Sequence, residues 1–278
     1  MLSYLHAFHA GNFADVHKHL GLYIALHLMQ RKATPIACFD THGGSAHYDL
    51  TGEQARKTSE AEGGIQRVWA QRDKLKHMLW RDIWGVIGEA DGASTIRYYP
   101  GSPAWLYGLK RQQDRITAFE LHSNESTRLQ QWAKTRDVRV TAGDGFKGLL
   151  ASLPPSEPRL FTLIDPPYEV KDDYATTADT VINAWKQCRH GVYLIWYPVL
   201  PGAQFETMIQ RLQASPVRKV LHSQYVLDQA PARGMRGSGL LLVNPPWEWG
   251  ETLQALLDEI AGSGAIAAHH RLDWAVPE

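Results

Sequence analysis

The run of residues with the clearest chemical meaning is Asp165-Pro166-Pro167-Tyr168, which directly follows the apolar segment LFTLI. The two prolines lack N–H groups and cannot continue a sheet, so carbonyl oxygens of the turn are free to face a ligand. A carboxylate beside a rigid carbonyl suits an amino group with two N–H donors, and the Tyr168 ring suits stacking on a flat base. Two acceptors would localise the lone pair of an adenine amino group toward a methyl donor. The run therefore predicts amine methylation, with Asp165, Pro166 and Tyr168 as catalytic residues and Asp165 as proton acceptor.

A second Pro-Pro turn, Asn244-Pro245-Pro246-Trp247, also follows an apolar run, LLLVN. Position along the chain separates the two turns. If strands occupy 36–40, 115–121, 138–144 and 159–165, Asp165 ends the fourth strand, which in methyltransferase folds lies next to the first at the switch point. Asn244 ends the last strand, expected in an edge hairpin remote from the cofactor, so we interpret it as a structural stop.

Acidic residues also end the three earlier strands. Asp40 is followed by a loop with Gly43 and Gly44, which let the chain approach a ligand closely. Glu120 can accept hydrogen bonds from ribose hydroxyls, and Asp144, before Gly145, can face an adenine amino group. Each could be an ordinary strand-end acid, but together they favour S-adenosylmethionine as the cofactor. A nicotinamide cofactor is less favoured, since no G-x-G-x-x-G precedes a helix.

The N-terminal arm is rich in polar side chains, namely Tyr4, His6, His9, Asn12, Lys18 and His19. No metal site is predicted, because His17 and His19 lie on different faces of a helix and no HExxH occurs. Hydrogen-bonded core histidines are one interpretation. The other is that the arm covers an acceptor pocket and that Lys18 pairs with a phosphate or a carboxylate.

Alternating strands and helices predict an α/β fold, a doubly wound and mostly parallel sheet. Asn12 is expected to cap a helix over 13–31, with Asp15 in its first turn. Two strands without a helix between them, within 217–228 and 239–247, predict an edge hairpin. A less regular stretch, 50–97, is expected to begin with a polar loop over 51–64 and to continue as a helix over 65–90. A turn is expected at 98–103.

The 278 residues carry 29 basic and 29 acidic side chains, so the net charge is zero. This balance argues against a protein that coats nucleic acid but permits a local basic patch, for which the candidates are Lys18, Arg56, Lys57, Arg233 and Arg236. Two cysteines exclude a disulfide framework. The first residues lack the pattern of a signal peptide, and no 18-residue apolar run suggests a membrane helix. A cytoplasmic protein is expected.

Six segments, in this order, resemble the ribosomal RNA large subunit methyltransferase J family: MLSYLHAFHAGNFADVHKH, FDTHGG, YYPGSP, DGF, DPPYE and NPPW. The resemblance covers nearly the whole chain. It implies a Rossmann-like domain of residues 1–49 and 98–278 with a small inserted helical subdomain of residues 50–97. It also implies methyl transfer from S-adenosylmethionine to the 6-amino group of one adenine in 23S ribosomal RNA.

The same resemblance implies roles for individual residues. The implied cofactor contacts are His19, His42, Ser102, Glu120, Asp144, Gly145 and Asp165, and Asp165 is also the implied catalytic residue. Tyr4 is implied near the acceptor base, with His6 and Lys18 as further substrate-binding residues. The sequence departs from the family pattern in the glycine loop, which has His42-Gly43-Gly44-Ser45 in place of His-Ala-Gly-Ala, and at Phe13 and His17, where His and Leu are expected.

Several alternative functions remain open at this level. A DNA adenine methyltransferase would share the turn and the cofactor, although only 48 inserted residues are available for target recognition (97 − 50 + 1). A methyltransferase that modifies a protein glutamine is expected to have Asn at the first position of the turn, where this sequence has Asp165. A Rossmann oxidoreductase would bind a nicotinamide, and a non-enzymatic RNA-binding module would bind no cofactor. No obligate protein partner is evident.

Overall fold

The positions of the regular elements follow the alternation of apolar segments in the sequence. The computed structural model describes residues 5–88, 93–229, 231 and 234–278. The α-helices of these residues are α1 (Phe13–Met29), α2 (Glu53–Thr58), α3 (Ile65–Ala70), α4 (Leu79–Ile87), α5 (Ser102–Leu109), α6 (Ser123–Ala133), α7 (Gly145–Ala151), α8 (Asp172–Gln187), α9 (Phe205–Gln213) and α10 (Trp249–Ser263). Their strands are β1 (Ile36–Asp40), β2 (His47–Asp49), β3 (Tyr98–Pro100), β4 (Arg115–Glu120), β5 (Arg139–Ala142), β6 (Arg159–Ile164), β7 (Val192–Val199), β8 (Val220–Leu227), β9 (Gly237–Val243) and β10 (Ala268–Val276).

The strands form a doubly wound sheet, as the sequence predicts. Among the described residues, eight strands form the main sheet in the order β10-β8-β9-β7-β6-β1-β4-β5. The five from β7 to β5 are parallel, and β1 lies between β4 and β6. Asp165 therefore follows the fourth parallel strand, next to the first. The chain order reverses around β1, which is where ligands bind in open α/β sheets.

The two faces of the sheet bury different apolar clusters because side chains alternate along each strand. Ile36 and Cys38 of β1 face the cluster that contains α1 and α10. Ala37 and Phe39 face the cluster that contains α8 and α9. Asn12 caps α1 as predicted, since its side chain accepts hydrogen bonds from the N–H groups of Ala14 and Asp15. The position of α1 is thus fixed by a buried face and a satisfied N-terminus.

The segment between β2 and β3 packs onto the start of α1. The two strands pair with each other and bring the ends of the segment together. Ile65 N–H donates to the Gly11 carbonyl at 2.8 Å, and Asn12 Nδ2 donates to Glu60 Oε2 at 2.8 Å. Val68 and Trp69 belong to the same buried cluster as α1. The division into a main domain and a subdomain of 50–97 stays a prediction.

Three sequence-based expectations for this region are wrong. The expected loop over 51–64 contains α2 and a 3-10 helix, Glu60–Gly63. The expected helix over 65–90, of which 89–90 lie outside the described residues, is interrupted between α3 and α4. The interruption has a tertiary cause, because the N–H groups of Lys76 and His77 donate to Glu259 of α10. The expected turn at 98–103 begins with β3, whose Tyr99 is buried opposite Tyr48.

The second Pro-Pro turn lies at the amino ends of the parallel strands, whereas Asp165 lies at their carboxyl ends. β9 runs antiparallel to β7, and Val243 pairs with Tyr193 at the beginning of β7. Asn244 therefore follows a strand that ends where the parallel strands start. The hairpin of β8 and β9 is not at the edge, contrary to expectation, because β9 lies between β7 and β8 and the unpredicted strand β10 covers β8. Asn244 and Asp165 thus follow strand ends on opposite sides of the sheet, while the separation of Asn244 from a bound cofactor stays a prediction.

Asn244 has a structural role that can be tested. Its Nδ2 donates to the carbonyls of Arg189 and Gly191 at 2.9 and 2.8 Å. Asn244→Ala removes both hydrogen bonds, so the free energy of unfolding should fall by about 1–2 kcal/mol. Denaturant unfolding measures this change. Because the turn is remote from Asp165, turnover of the folded variant should stay near that of the parent chain, and an inactive folded variant would contradict this assignment.

Candidate active site

The carboxyl ends of the parallel strands open into a cavity of about 380 Å³, here called the first cavity. This volume is within the usual range for small-molecule sites. Six residues with predicted roles in cofactor binding line it, namely His42, Ser102, Glu120, Asp144, Gly145 and Asp165. His6, Lys18 and Pro166 line it as well. The structure therefore brings together most of the residues that the sequence singled out.

Acidic groups dominate the wall of the first cavity. Among the described residues that line it, the carboxylates are Glu120, Glu125, Asp144, Asp165, Glu169 and Asp173, whereas Lys18 is the sole lysine or arginine. Lys18 is already paired with aspartates. A pyrophosphate would meet uncompensated negative charge here, so a dinucleotide fits poorly. A ligand with positive charge fits well.

The glycine loop after β1 needs small residues for steric reasons. Gly44 has a φ of +58°, and a Cβ there would lie 2.2 Å from the Tyr48 hydroxyl. Its N–H donates to Glu120 Oε2 at 2.8 Å. Gly145 approaches the same loop so closely that a Cβ would lie 1.8 Å from the Thr41 carbonyl oxygen. These close approaches join the ends of β1, β4 and β5 into one continuous wall.

Glu120 is held by the backbone at the end of β4. Its two oxygens accept from the N–H groups of Gly44 and His122, at 2.8 and 2.7 Å. Burial raises the pKa of Glu120 above its usual value, and the two N–H groups oppose that shift. Each carboxylate oxygen retains a further lone pair, so the side chain can still accept hydrogen bonds from a ligand in the cavity.

Asp144 has a structural as well as a possible binding role. It is the N-cap of α7, where its Oδ1 accepts from the N–H groups of Phe146 and Lys147. Its Oδ2 lies 3.4 Å from Lys147 Nζ. The carboxylate lines the first cavity at the same time. The contact to an adenine amino group stays a prediction.

A cluster of buried polar groups forms the floor between β1 and α5. Ser102 begins α5, and Asp40 beside it is fully buried at the end of β1. Burial raises the pKa of Asp40 to about 7. Burial also lowers the pKa of His42 to about 4, so this ring is neutral near pH 7. Of these groups, His42 and Ser102 line the first cavity, where they offer neutral hydrogen-bonding groups beside the charged wall.

Lys18 is buried between two carboxylates. Its Nζ lies 2.9 Å from Asp15 Oδ1 and 2.7 Å from Asp165 Oδ2. Burial alone would lower the pKa of Lys18, but the two aspartates raise it above the usual value. Burial would raise the pKa of Asp15, yet His6 and Lys18 hold it well below its usual range. The sequence predicts that Lys18 pairs with a phosphate or a carboxylate, and in the structure its partners are the carboxylates of Asp15 and Asp165.

A second cavity meets the first at Asp165. The residues that line both are His6, Lys18, Asp165, Pro167 and Trp196. The second cavity extends between the N-terminal arm, the 3-10 helix at Glu60 and the loop after β8. Asp165 thus lies at the junction of an acid-lined cavity and a second cavity with aromatic walls, where a group from each side can approach the other.

Tyr168 lines the second cavity in a strained backbone conformation. Its φ is +53°, which is rare for a bulky residue. The side chain is only 7% exposed, and its ring centroid lies 4.5 Å from that of Tyr174. The hydroxyl donates to the Trp196 carbonyl at 2.7 Å. Tyr168 therefore shapes the wall, and stacking of a base on its ring stays a prediction.

Other predicted residues have different positions. His19 is not among the described residues that line the two cavities. Its side chain is buried, where Nδ1 forms a hydrogen bond with the Tyr99 hydroxyl and the ring stacks on Trp105. Its cofactor contact stays a prediction without support from the side-chain position. Tyr4 and Arg233 lie outside the described residues. Arg56 and Lys57 lie on α2, where Lys57 pairs with Glu53.

Sequence reasoning missed two residues of the site. Trp196 lies in the middle of a predicted strand, and nothing in the pattern of that strand distinguishes it from a core residue. Asp15 was expected only to favour the start of α1, although its spacing of three residues from Lys18 is the spacing of a helical ion pair. Within the described parts of the chain, no group of three His, Cys, Asp or Glu side chains could hold a metal ion.

None of the described helices has the length and apolar character needed to cross a membrane.

A family model described as ribosomal RNA large subunit methyltransferase D, RlmJ, matches residues 33–276. The chain is 38% identical over 286 aligned residues to the ribosomal RNA large subunit methyltransferase J of Escherichia coli strain K12, and the match covers 100% of both chains.

Two further relatives agree with this assignment. The protein of the same name from Haemophilus influenzae is 38% identical and covers 94% of this chain and 92% of its own. A crystal structure of a Legionella pneumophila protein is 32% identical, with a TM-score of 0.87, and covers 96% of this chain and 98% of its own. The chain therefore belongs to the methyltransferase family described as ribosomal RNA large subunit methyltransferase D, RlmJ.

Proposed function

We propose that this protein transfers a methyl group from S-adenosylmethionine to the exocyclic 6-amino group of an adenine in 23S ribosomal RNA. The observation that carries the proposal is the position of Asp165, at the junction of the two cavities and at the end of the fourth parallel strand. The names of the curated relatives support a ribosomal RNA substrate. The RNA substrate would be bound in the cytoplasm, and the proposed reaction requires no second protein.

The residues of the first cavity fit S-adenosylmethionine. This cofactor supplies a methyl group on a positively charged sulfur, and the acidic wall favours that charge. Glu120 retains lone pairs for the ribose hydroxyls, and Asp144 has a carboxylate for the adenine amino group. Ser102, the first residue of α5, offers its N–H and its hydroxyl to the carboxylate of the methionine portion, at the end of the helix that favours negative charge. His42 and Gly145 complete the wall.

Asp165 and Pro166 prepare the acceptor amine. Lys18 occupies Asp165 Oδ2, which leaves Oδ1 for one N–H of the amine. The carbonyl of Pro166 accepts the other N–H, because a proline turn cannot use it in a sheet. Both contacts localise the nitrogen lone pair toward the methyl carbon. Methyl transfer would form the N–C bond as the bond between sulfur and the methyl carbon breaks, with S-adenosylhomocysteine as the leaving group. The amine would then lose a proton, which Asp165 accepts.

The acceptor base must leave its stack to reach Asp165, since an amine inside a paired stack is inaccessible. The second cavity provides the space, with Tyr168 and Trp196 as aromatic walls. His6, whose Nε2 lies 2.9 Å from Asp15 Oδ2, lines the same space. The role of Tyr4 near the acceptor base rests on the family resemblance alone, because Tyr4 lies outside the described residues. Because the net charge is zero, binding of the RNA depends on a local patch, for which Arg56, Lys57 and Arg236 are the exposed candidates.

Nucleoside analysis tests the proposed reaction. The protein is incubated with methyl-labelled S-adenosylmethionine and unmodified 23S ribosomal RNA, and the RNA is hydrolysed to nucleosides. The label should appear in N6-methyladenosine. A double-stranded DNA of matched sequence is the control. Preferential labelling of the DNA would contradict the RNA assignment, and label in another nucleoside would contradict the acceptor atom.

Glu120 should contribute to cofactor affinity. Glu120→Ala removes a charged acceptor of ribose hydroxyls, which is worth about 1.5–3 kcal/mol. The Kd for S-adenosylhomocysteine, measured by calorimetry without added metal, should rise accordingly. Asp179→Asn, in an exposed ion pair of α8 with Arg211, is the control and should not change the Kd. An unchanged Kd for Glu120→Ala would exclude the ribose contact.

Asp165 should be needed for turnover but not for cofactor binding. Asp165→Asn keeps the size of the side chain and removes the proton acceptor, so kcat should fall by roughly 10²-fold or more. The Kd for S-adenosylhomocysteine should change little. Asn244→Ala, at the other Pro-Pro turn, is the matched control. Loss of turnover in Asn244→Ala with normal turnover in Asp165→Asn would show that the other turn is catalytic.

A further inference from the structure

A continuous chain of hydrogen-bonded side chains passes from the second cavity through the antiparallel half of the sheet to α10. It begins at Trp196 of β7 and includes His17 of α1, one of the positions at which the sequence departs from the expected family pattern. In order, its members are Trp196, Ser238, His17, Ser223, His270, Gln254 and Asp258. His17, Ser223 and Ser238 are fully buried at 0% exposure. Buried polar groups of this kind stabilise one arrangement only when every member has a partner.

The two ends of the chain determine the direction of every hydrogen bond. The Trp196 Nε1–H can only donate, and it does so to Ser238 Oγ at 2.9 Å. At the other end, Gln254 Nε2 donates to the Asp258 carboxylate at 2.7 Å, which turns Gln254 Oε1 toward His270. His270 Nδ1 must therefore donate to Gln254, at 2.6 Å.

His17 links the two ends as a neutral ring. Burial lowers the pKa of His17 well below its usual value. A neutral ring has one donor and one acceptor. Its Nδ1 accepts from Ser238 and its Nε2 donates to Ser223, both at 2.9 Å. Ser223 then donates to His270 Nε2 at 2.7 Å. The reverse arrangement would leave the Ser238 hydroxyl hydrogen without an acceptor, so one tautomer of His17 satisfies the whole chain.

Trp196 occupies a position that matters for the acceptor. It lines both cavities, and the ammonium of Lys18 lies 5.4 Å from its ring centroid. Its ring lies 6.1 Å from the Tyr168 ring, with 58° between the planes. A base sandwiched between two rings needs parallel planes about 7 Å apart. A base therefore packs on one of these rings, and Trp196 is the more exposed of the two.

We propose that His17 and Ser238 are positioning residues, which hold the Trp196 indole in the orientation that forms the wall for the acceptor base. The proposal rests on the proposed function. His17 bonds Ser238, Ser238 bonds the indole, and Tyr168 bonds the Trp196 backbone, so the residue is held at both its side chain and its main chain. His17 precedes Lys18 on α1, so the residue that bonds Ser238 is the neighbour of the residue whose ammonium binds Asp165.

Two buried serines provide a matched pair of variants. Ser238→Ala and Ser223→Ala each remove one hydroxyl that bonds His17, but only Ser238 touches Trp196. Ser238→Ala should raise the KM for the RNA about three- to tenfold, the effect of losing one buried hydrogen bond. Ser223→Ala should change it less than about twofold. The Kd for S-adenosylhomocysteine should stay unchanged in both. Equal changes in KM for the two variants would overturn the proposal.

A double-mutant cycle tests whether Ser238 acts through the indole. Trp196→Phe keeps an aromatic ring and removes the N–H donor. In that background Ser238→Ala should add no further rise in KM, because the contact it removes is already absent. The same fold-change in both backgrounds would show that Ser238 acts by another route and would overturn the proposal.

The indole N–H signal gives a readout independent of activity. In protein labelled with ¹⁵N-tryptophan, the Trp196 signal is identified by its loss in Trp196→Phe. It should shift in Ser238→Ala and in His17→Leu, and it should shift less in Ser223→Ala, because Ser238 and His17 separate that hydroxyl from the indole. An unshifted signal in Ser238→Ala would contradict the proposal. Failure of the proposed function is distinguishable, since the parent protein would then form no N6-methyladenosine whatever the state of this signal.

Discussion

The buried ion pairs of Lys18 constrain the region around the site more than any other interaction. A buried ammonium is costly unless carboxylates accept hydrogen bonds from it. Asp15 comes from the same helix and Asp165 from the end of β6, so α1 must cross the sheet at one height and one rotation. The N-terminal arm follows from the same requirement, because His6 and the Gly11 N–H bind Asp15 on its other side.

This arrangement separates two environments on either side of one carboxylate. The first cavity collects acids from the ends of β4, β5 and β6, since parallel strands bring their carboxyl ends to one edge. The second cavity is lined by the N-terminal arm, by aromatic residues and by the loop that joins β8 to β9. That loop lies at the same edge because β9 enters the sheet antiparallel to β7. The acidic wall and the aromatic wall thus come from different halves of the sheet.

The sequence predicts the parallel strands and their terminal residues well, because buried strands are continuous apolar runs and the residue after each run is unambiguous. Glu120 and Asp165 were found in this way. It predicts tertiary effects poorly. The helix expected over 65–90 is interrupted by contacts with Glu259, which is distant in the sequence. β10 is exposed and polar over much of its length, and Trp196 looks like any core aromatic, so neither has a local signature.

The packing of the segment between β2 and β3 onto the start of α1 has a consequence for folding. Ile65 bonds the Gly11 carbonyl, and Glu60 bonds Asn12, which is also the cap of α1. Val68 and Trp69 share their buried cluster with the main sheet. The segment therefore cannot melt without exposing part of the common core and releasing the first turn of α1. Partial unfolding of this segment alone is therefore unfavourable, and its stability is coupled to that of the first turn of α1, which carries Asp15 beside the second cavity.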